Sequence, residues 1–213
     1  MKILIACEFS GTVRDAFTRG GHDATSCDLL PTERPGKHYQ GDVFDIINDG
    51  WDMMIAHPPC TYLTLAGNKW FLPEYAERFP TRIQDRKDAI EFFVKLWNAP
   101  IKKKCFENPI GVLSSQFRKP DQIIQPFHFG DTERKATCLW LQGLPKLTHT
   151  KVVEPEIIRH KNGKTDSKWH YETMKLAPHE RMKARSKTFQ GIADAMADQW
   201  GRLDQPVHQM DLI

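Results

Sequence analysis

Met53-Met54-Ile55-Ala56-His57-Pro58-Pro59-Cys60-Thr61-Tyr62 decides how the rest of the chain is read. The apolar run is too short for a helix, opens after Asp52 and is closed by two prolines, the pattern of a strand buried on both faces of a parallel sheet. Each proline fixes φ and removes a backbone donor, so the strand ends there and Cys60 is carried on a stiff elbow beyond it. In an open α/β sheet that carboxyl edge is where ligands bind, which makes Cys60 a candidate nucleophile. The structural alternative is a small buried apolar side chain after a rigid turn.

A second stretch points to the same edge. Lys103-Lys104-Cys105-Phe106-Glu107-Asn108-Pro109 also reads as a strand that ends in polar residues and a proline, which brings Glu107 and Asn108 beside Cys60. A thiolate and a carboxyl that converge suit attack on a pyrimidine. The cysteine adds to C6, the glutamic acid hydrogen-bonds N3 and the exocyclic amine, and C5 becomes nucleophilic enough to take a one-carbon electrophile.

On these residues the chain resembles the cytosine-5 DNA methyltransferases through most of its length. Pro59-Cys60 matches the family's Pro-Cys nucleophile and Glu107-Asn108 its pyrimidine-binding Glu-Asn. Phe9-Ser10-Gly11-Thr12 resembles the Phe-x-Gly-x-Gly cofactor loop, Asp28 falls where an acid holds the ribose hydroxyls, and Asp42 where an acid contacts the adenine amine. The resemblance implies a Rossmann-like, doubly wound, mostly parallel α/β sheet of the S-adenosylmethionine-dependent methyltransferase type. It implies S-adenosyl-L-methionine as cofactor, with His57 and Pro58 on the cofactor side of the elbow, and DNA or a pyrimidine nucleotide as partner. An arginine-bearing segment that supports the base in that family corresponds to Arg134 and Lys135. Departures are equally plain: Val13 replaces the last glycine of the loop, Thr61 the glutamine after the nucleophile, and His57 and Pro58 stand where glycine and a variable residue are common.

Taken in order, Lys2 to Cys7 reads as a strand, Glu8 to Gly11 as a turn, Thr12 to Arg19 as a helix ended by Gly20-Gly21, and Asp23 to Cys27 as a strand delivering Asp28. The turn is expected to offer backbone N–H groups to a cofactor carboxylate or phosphate. Tyr39 to Val43 reads as a short strand, with Asp42 either at its end or capping a helix that starts near Val43. Leu63 to Arg82 has little periodicity but interleaves Lys69, Trp70, Arg78 and Arg82 with further aromatics. It reads as a lid that closes over a base and grips phosphate, or as a surface segment with solvated arginines. Ile90, Phe93, Val94 and Trp97 predict a helix over 83–98. Leu113 to Phe117 predicts a short helix, and Gln122 to Phe129 and Ala136 to Leu141 predict two strands at an antiparallel end of the sheet.

Residues 145–184 stand where the resembled family holds a recognition domain, and they are too few for one. Lys161-Asn162-Gly163-Lys164 predicts a type I′ hairpin with basic flanks, and Lys161 and Lys164 either track a nucleic-acid backbone or form a solvated hairpin. Phe189, Ile192, Ala193, Met196, Ala197 and Trp200 predict a closing helix, capped by Ser186 or Thr188. Residues 1–201 are read as one domain and 202–213 as a loosely held tail.

The chain has 213 residues, enough for one full core and too few for two. No apolar run approaches a membrane span, and Met1 leads straight into a strand without signal-peptide architecture. The cysteines Cys7, Cys27, Cys60, Cys105 and Cys138 have no paired spacing, which suggests reduced thiols in a cytoplasm and gives no metal pattern. A net charge of +3 neither establishes nor opposes nucleic-acid binding. Beside a cytosine-5 methyltransferase, the residues admit an enzyme acting on a free nucleotide or with a folate donor, and a non-catalytic DNA-binding protein on the same scaffold.

Overall fold

The computed structural model describes residues 1–203. Strand β1 (Lys2–Ala6), helix α1 (Thr12–Arg19) and strand β2 (Asp23–Asp28) form the opening βαβ unit, and β3 (His38–Gln40), α2 (Val43–Ile46) and β4 (Met53–Ala56) follow. After α3 (Arg82–Trp97) come β5 (Lys103–Pro109), α4 (Leu113–Gln116), β6 (Gln122–Ile124) and β7 (Thr137–Gln142). A small hairpin, β8 (Ile157–Arg159) and β9 (Thr165–Ser167), leads to α5 (Lys168–Met174), α6 (Pro178–Ser186) and the closing helix α7 (Gln190–Gly201).

Seven strands make one sheet in the order β3-β2-β1-β4-β5-β7-β6. The first five are parallel, and β7 runs antiparallel to both β5 and β6. The order reverses between β1 and β4, so a crevice opens beyond their carboxyl ends. Alternation in these strands fills two cores. Ile3, Ile5, Met53 and Ile55 pack with Val13 and Phe17 of α1 and with Ile192, Met196 and Trp200 of α7. Leu4, Ala6, Met54 and Ala56 pack with Phe93 and Leu96 of α3 and with Phe106 and Trp140. The fold is therefore Rossmann-like α/β with helices on both faces. No helix among the described residues is long and apolar enough to cross a membrane.

Several local expectations are corrected. Strand β3 is only His38–Gln40, and of the two places expected for Asp42 the second holds: it is the N-cap of α2, accepting from Phe44 N at 2.9 Å. Strand β6 stops at Ile124 because Pro126 opens a 3-10 turn over Pro126–His128. The segment after the elbow, in which the sequence shows little periodicity, folds as 3-10 turns over Leu65–Phe71 and Pro73–Tyr75. The hairpin turn is not type I′. His160 accepts from Gly163 N at 2.9 Å and its own N–H donates to Lys164 O at 2.9 Å. Only Gly163 in this loop takes a positive φ, 80°, which is a type I turn followed by a left-handed glycine. Residues 145–184 also hold α5 and most of α6, which the sequence did not announce. Helix α7 is capped by Phe189 without a side-chain bond, while Ser186 ends α6. Of the expected tail, only Arg202 and Leu203 fall within the described residues, in a turn.

The loop between β2 and β3 is held by a buried cation. The Arg14 guanidinium, 1 % exposed, donates to Ser26 Oγ and Thr32 Oγ1 at 3.1 Å each and to the carbonyls of Arg34 and Pro35 at 3.0 and 3.1 Å. Gly36, at φ 149°, leaves room for it: a Cβ there would lie 2.7 Å from the guanidinium carbon.

Candidate active site

The elbow after β4 is fixed at several points. His57 N donates to Ala6 O at 2.9 Å, which extends the β1/β4 pairing by one residue. Ala56 pairs with Phe106, so His57 stands beside Glu107 on the neighbouring parallel strand. Asn108 Nδ2 donates to Pro58 O at 2.8 Å and ties β5 to the proline pair. Asn108, expected beside the substrate, is 1 % exposed and holds the elbow instead. Cys60 O accepts from Leu63 N and Thr64 N at 3.0 and 3.2 Å. Beyond that turn Thr64 bridges to Gly111, with Val112 N donating to Leu63 O at 2.9 Å. A Cβ on Gly111 would fall 2.0 Å from Leu63 O, so only glycine allows the approach. The arm bearing Cys60 and the arm bearing Glu107 are thereby laced together.

Glu107 is buried, with Oε2 3.3 Å from His57 Nδ1. Burial alone would raise its pKa, but Lys135, the His57 contact and the Thr137 hydroxyl outweigh it and hold the carboxyl below its usual range. Cys60 is partly exposed. Burial pushes its thiol up, the Glu107 charge pushes the same way, and Lys135 and the residue's own amide pull back only in part. The resting pair is therefore a protonated thiol near an ionised carboxylate. It follows that Glu107→Gln lowers the Cys60 pKa. Iodoacetamide is expected to label Cys60 severalfold faster in that variant at mildly alkaline pH, read by peptide mass mapping. Unchanged labelling would refute the coupling.

Two adjoining cavities open beside the elbow and share Cys7, Asp28 and Pro59 in their walls. The larger, ≈ 280 Å³, is lined by Phe9, Ser10, His57, Cys60 and Thr61, and by Met182, Arg185, Ser186 and Thr188 from the α6 end. The smaller, ≈ 200 Å³, is lined by Cys27, Asp28, Leu29, Asp42, Val43 and Phe92. Asp28 Oδ1 accepts from Leu30 N at 2.9 Å, and burial raises its carboxyl above the usual value. Cys7, at the rim of both, takes φ 59°, a strained left-handed conformation for a residue with a Cβ; such strain concentrates at functional sites. Gly11, at φ 72°, completes the loop, where a Cβ would lie 2.5 Å from Arg14 Nη2. Pro58 is buried under the elbow and lines neither cavity.

The N-terminus of α1 is already filled. Glu8, 5 % exposed, accepts from Val13 N at 2.7 Å, Arg14 N at 3.3 Å and Ser10 Oγ at 3.1 Å. These helix amides, expected to receive a cofactor anion, are taken by the chain's own carboxylate.

The cations expected on nucleic acid divide into three groups. Lys69 lies over the Trp70 ring at 4.4 Å, Arg78 over Phe79 at 5.3 Å, and Arg82 over Phe71 at 4.8 Å, with Trp70 edge-on to Tyr75 and Phe79. The segment is thus an aromatic cluster studded with cations, anchored by Arg86, which donates to Tyr62 O and Asn68 Oδ1. Lys161 and Lys164 are exposed at the hairpin tip. Arg134 is exposed, whereas Lys135 is half-buried, donates to Arg185 O at 3.0 Å and acts on both Cys60 and Glu107. Of these two, Lys135 rather than Arg134 faces the Cys60 and Glu107 pair.

No protein-family model and no curated protein sequence matches this chain. The site is therefore interpreted from its own residues. It sets Cys60, His57, Asp28, Phe9 and Ser10 around one cavity and Asp42 in the smaller chamber, with Glu107 buried behind His57 and lining neither. The sequence reading missed Glu8, Arg14, Thr137 and the wall from α6. A signal existed for Glu8 alone, an acid directly before the turn that opens α1. Among the described residues no three His, Cys, Asp or Glu side chains converge as for a metal ion.

Proposed function

We propose that this protein is a cytosine-5 methyltransferase-like enzyme that attaches a methyl group to C5 of a cytosine in DNA through a covalent Cys60 adduct. The observation that carries this reading is the lacing of the Cys60 and Glu107 arms at the edge of two joined cavities. The parallel β3-β2-β1-β4-β5 order closed by antiparallel β7 supports it, as the sheet expected of S-adenosylmethionine-dependent methyltransferases.

The smaller chamber has the chemistry for adenosine: carboxylates of Asp28 and Asp42 for hydroxyl and amine groups, and Leu29, Val43 and Phe92 for the flat base. S-adenosylmethionine, when bound there, supplies an electrophilic methyl group. The larger chamber takes the target base. The Cys60 thiol gives its proton to solvent and the thiolate attacks C6, Glu107 takes up a proton to donate to N3 and accepts from the exocyclic amine, and once C5 carries the methyl group, loss of the C5 proton to water breaks the Cys60–C6 bond; Lys135 balances the resting carboxylate. Asn108 and Gly111 keep the two arms in register. Met182, Arg185, Ser186 and Thr188 wall off the larger chamber, which at ≈ 280 Å³ is a pocket for a single extruded base rather than a groove for a duplex in this reading. That favours an unpaired target, since drawing a base from a duplex costs a few kcal/mol in unstacking.

The test is intact-protein mass after incubation with oligonucleotides containing 5-fluorocytosine, single- and double-stranded, with and without S-adenosylmethionine. A methylated covalent adduct that requires the cofactor is expected, formed faster on single strands. Absence of an adduct in every arm would overturn the proposal.

A further inference from the structure

One wall of the larger cavity carries a positive charge that the chain does not neutralise. Arg185, in the last turn of α6, is half-buried and lines that cavity together with Thr61 and Thr188. Its Nε donates to Thr173 Oγ1 at 3.0 Å, and Nη2 donates to His170 O at 3.2 Å and lies 3.2 Å from His170 Nδ1. These bonds turn the guanidinium onto α5 rather than onto the last carbonyls of its own helix, so it is not a helix cap. Nη1 makes no hydrogen bond among the described residues, and both of its N–H groups are left without an acceptor.

Nothing around this guanidinium balances its charge. At this end of α6 Lys187 pairs with Glu33 at 2.5 Å, whereas Arg181, Lys183 and Arg185 have no ion pair among the described residues. The neighbours of Arg185 are neutral or of like charge: the Trp169 ring at 5.9 Å, His170, whose pKa is held down by burial and by Arg185 itself, and Arg181. Burial and the Arg181 charge both lower the Arg185 pKa, as for a cation left uncompensated. The acids on this cavity come from the sheet side and are engaged there, Glu8 by the amides of α1 and Asp28 by Leu30 N. A half-buried cation without a counter-charge costs free energy that a bound anion recovers.

Taking the larger chamber as the seat of the target base, we infer that Arg185 binds a phosphate of the target nucleotide. The anion sits on Nη1, since a planar fork held at its other nitrogens suits phosphate oxygens. The hydroxyls of Thr61 and Thr188, which make no side-chain hydrogen bond among the described residues, supply further donors. Arg181 and Lys183 on the same helix strengthen the local field. The base is met from the sheet side of the cavity and the phosphate from the α6 side, so the chamber selects a nucleotide over a free base. A mononucleotide and a strand of DNA share this chemistry, and the proposed function makes the strand the source.

The first test uses the unaltered full chain. Phenylglyoxal modifies accessible guanidinium groups, and its rate at Arg185 is read by peptide mass mapping, with exposed Arg159 of β8 as the control in the same digest. Inorganic phosphate is expected to protect Arg185 and not Arg159, while chloride at equal ionic strength protects neither. Deoxycytidine 5′-monophosphate is expected to protect at about tenfold lower concentration than inorganic phosphate, and a short single-stranded oligonucleotide at lower concentration still. Equal protection by phosphate and chloride overturns the inference. So does acetate or methionine protecting at lower concentration than phosphate, which assigns the guanidinium to a carboxylate. An Arg185 that resists the reagent in every arm is closed to ligands, and the inference falls. In Arg185→Gln, which keeps an amide donor for Thr173 and His170, oligonucleotide affinity is expected to fall about tenfold. The slope of log affinity against log salt should become shallower by about 0.7, the share of one phosphate contact on a single strand. An unchanged slope in the folded variant overturns the contact. Failure of the 5-fluorocytosine adduct with phosphate protection intact would instead overturn the proposed reaction and leave this anion site standing.

Discussion

Cys60→Ala is expected to abolish turnover, by at least about a thousandfold, while changing affinity for oligonucleotide and S-adenosylmethionine by no more than roughly threefold. The contrast follows from where the sulfur sits. Among the described residues Cys60 Sγ makes no hydrogen bond to another side chain, and the turn at Cys60 is held by its backbone carbonyl through Leu63 N and Thr64 N. Alanine keeps those bonds and removes only the sulfur that attacks C6 in the proposed reaction. Covalent bonding exists in the transition state and not in the ground-state complex, so its loss falls on kcat. Serine at this position is expected to behave as alanine, because its hydroxyl is far less acidic than a thiol. Single-turnover methyl transfer and filter binding on the same preparations check the point. Residual turnover within tenfold of wild type would remove Cys60 as nucleophile, and loss of binding in parallel with turnover would make it a structural residue.

The second large effect concerns stability. Arg14→Ala is expected to lower the unfolding free energy by about 3–5 kcal/mol, the cost of emptying one side of a buried charged network. That is roughly 10 °C in Tm for a chain of this length. The guanidinium satisfies four acceptors on residues 26–35 besides its contact with Asp15 at 2.8 Å. Without it the Arg34 and Pro35 carbonyls lose their donor and a void opens under Gly36. Arg14→Lys recovers little, since a single ammonium cannot reproduce a planar fork that reaches several acceptors at once. The same loop follows Leu29 and Leu30 on the cavity walls, so the alanine variant should also weaken S-adenosylmethionine binding. Differential scanning calorimetry with and without S-adenosylmethionine measures both, and a Tm within 2 °C of wild type, about 1 kcal/mol or less, would refute the role of Arg14.

The parts of this molecule that were legible in the sequence are those whose pattern is local and apolar. Ile3 to Ala6 and Met53 to Ala56 are buried on both faces, so their uninterrupted hydrophobicity announced central parallel strands. Ile192, Met196 and Trp200 follow helical spacing and line one face of α7. The convergence of Cys60 and Glu107 followed from topology, because two parallel neighbours that end in proline must end on the same edge. What was hidden is polar or long-range. Helix α6 buries no residue completely and α5 only Thr173, so neither shows an apolar stripe. Arg14 reads as a solvated helix residue until the loop carbonyls that fold back onto it are known. Lys135 and Arg134 are neighbours with the same charge, and only the direction of the chain entering β7 sends one of them towards Glu107. Asn162-Gly163 has the composition of a type I′ turn, yet the backbone places the left-handed residue at Gly163 alone.

The bridge between Thr64 and Gly111 has a mechanical consequence. Two loops that leave a sheet separately can spread when a ligand arrives, but these two are riveted beyond their tips and again at Asn108 and Pro58. The sheet side of the crevice therefore behaves as the fixed jaw of a vice. Any widening that admits a base falls to the opposite jaw, the α6 end with Met182, Arg185 and Ser186, which is fastened mainly through Lys135, Thr173 and His170. On the proposed function, a short polar helix would set the pace at which substrate enters and product leaves, while the rivets would keep the geometry of bond making.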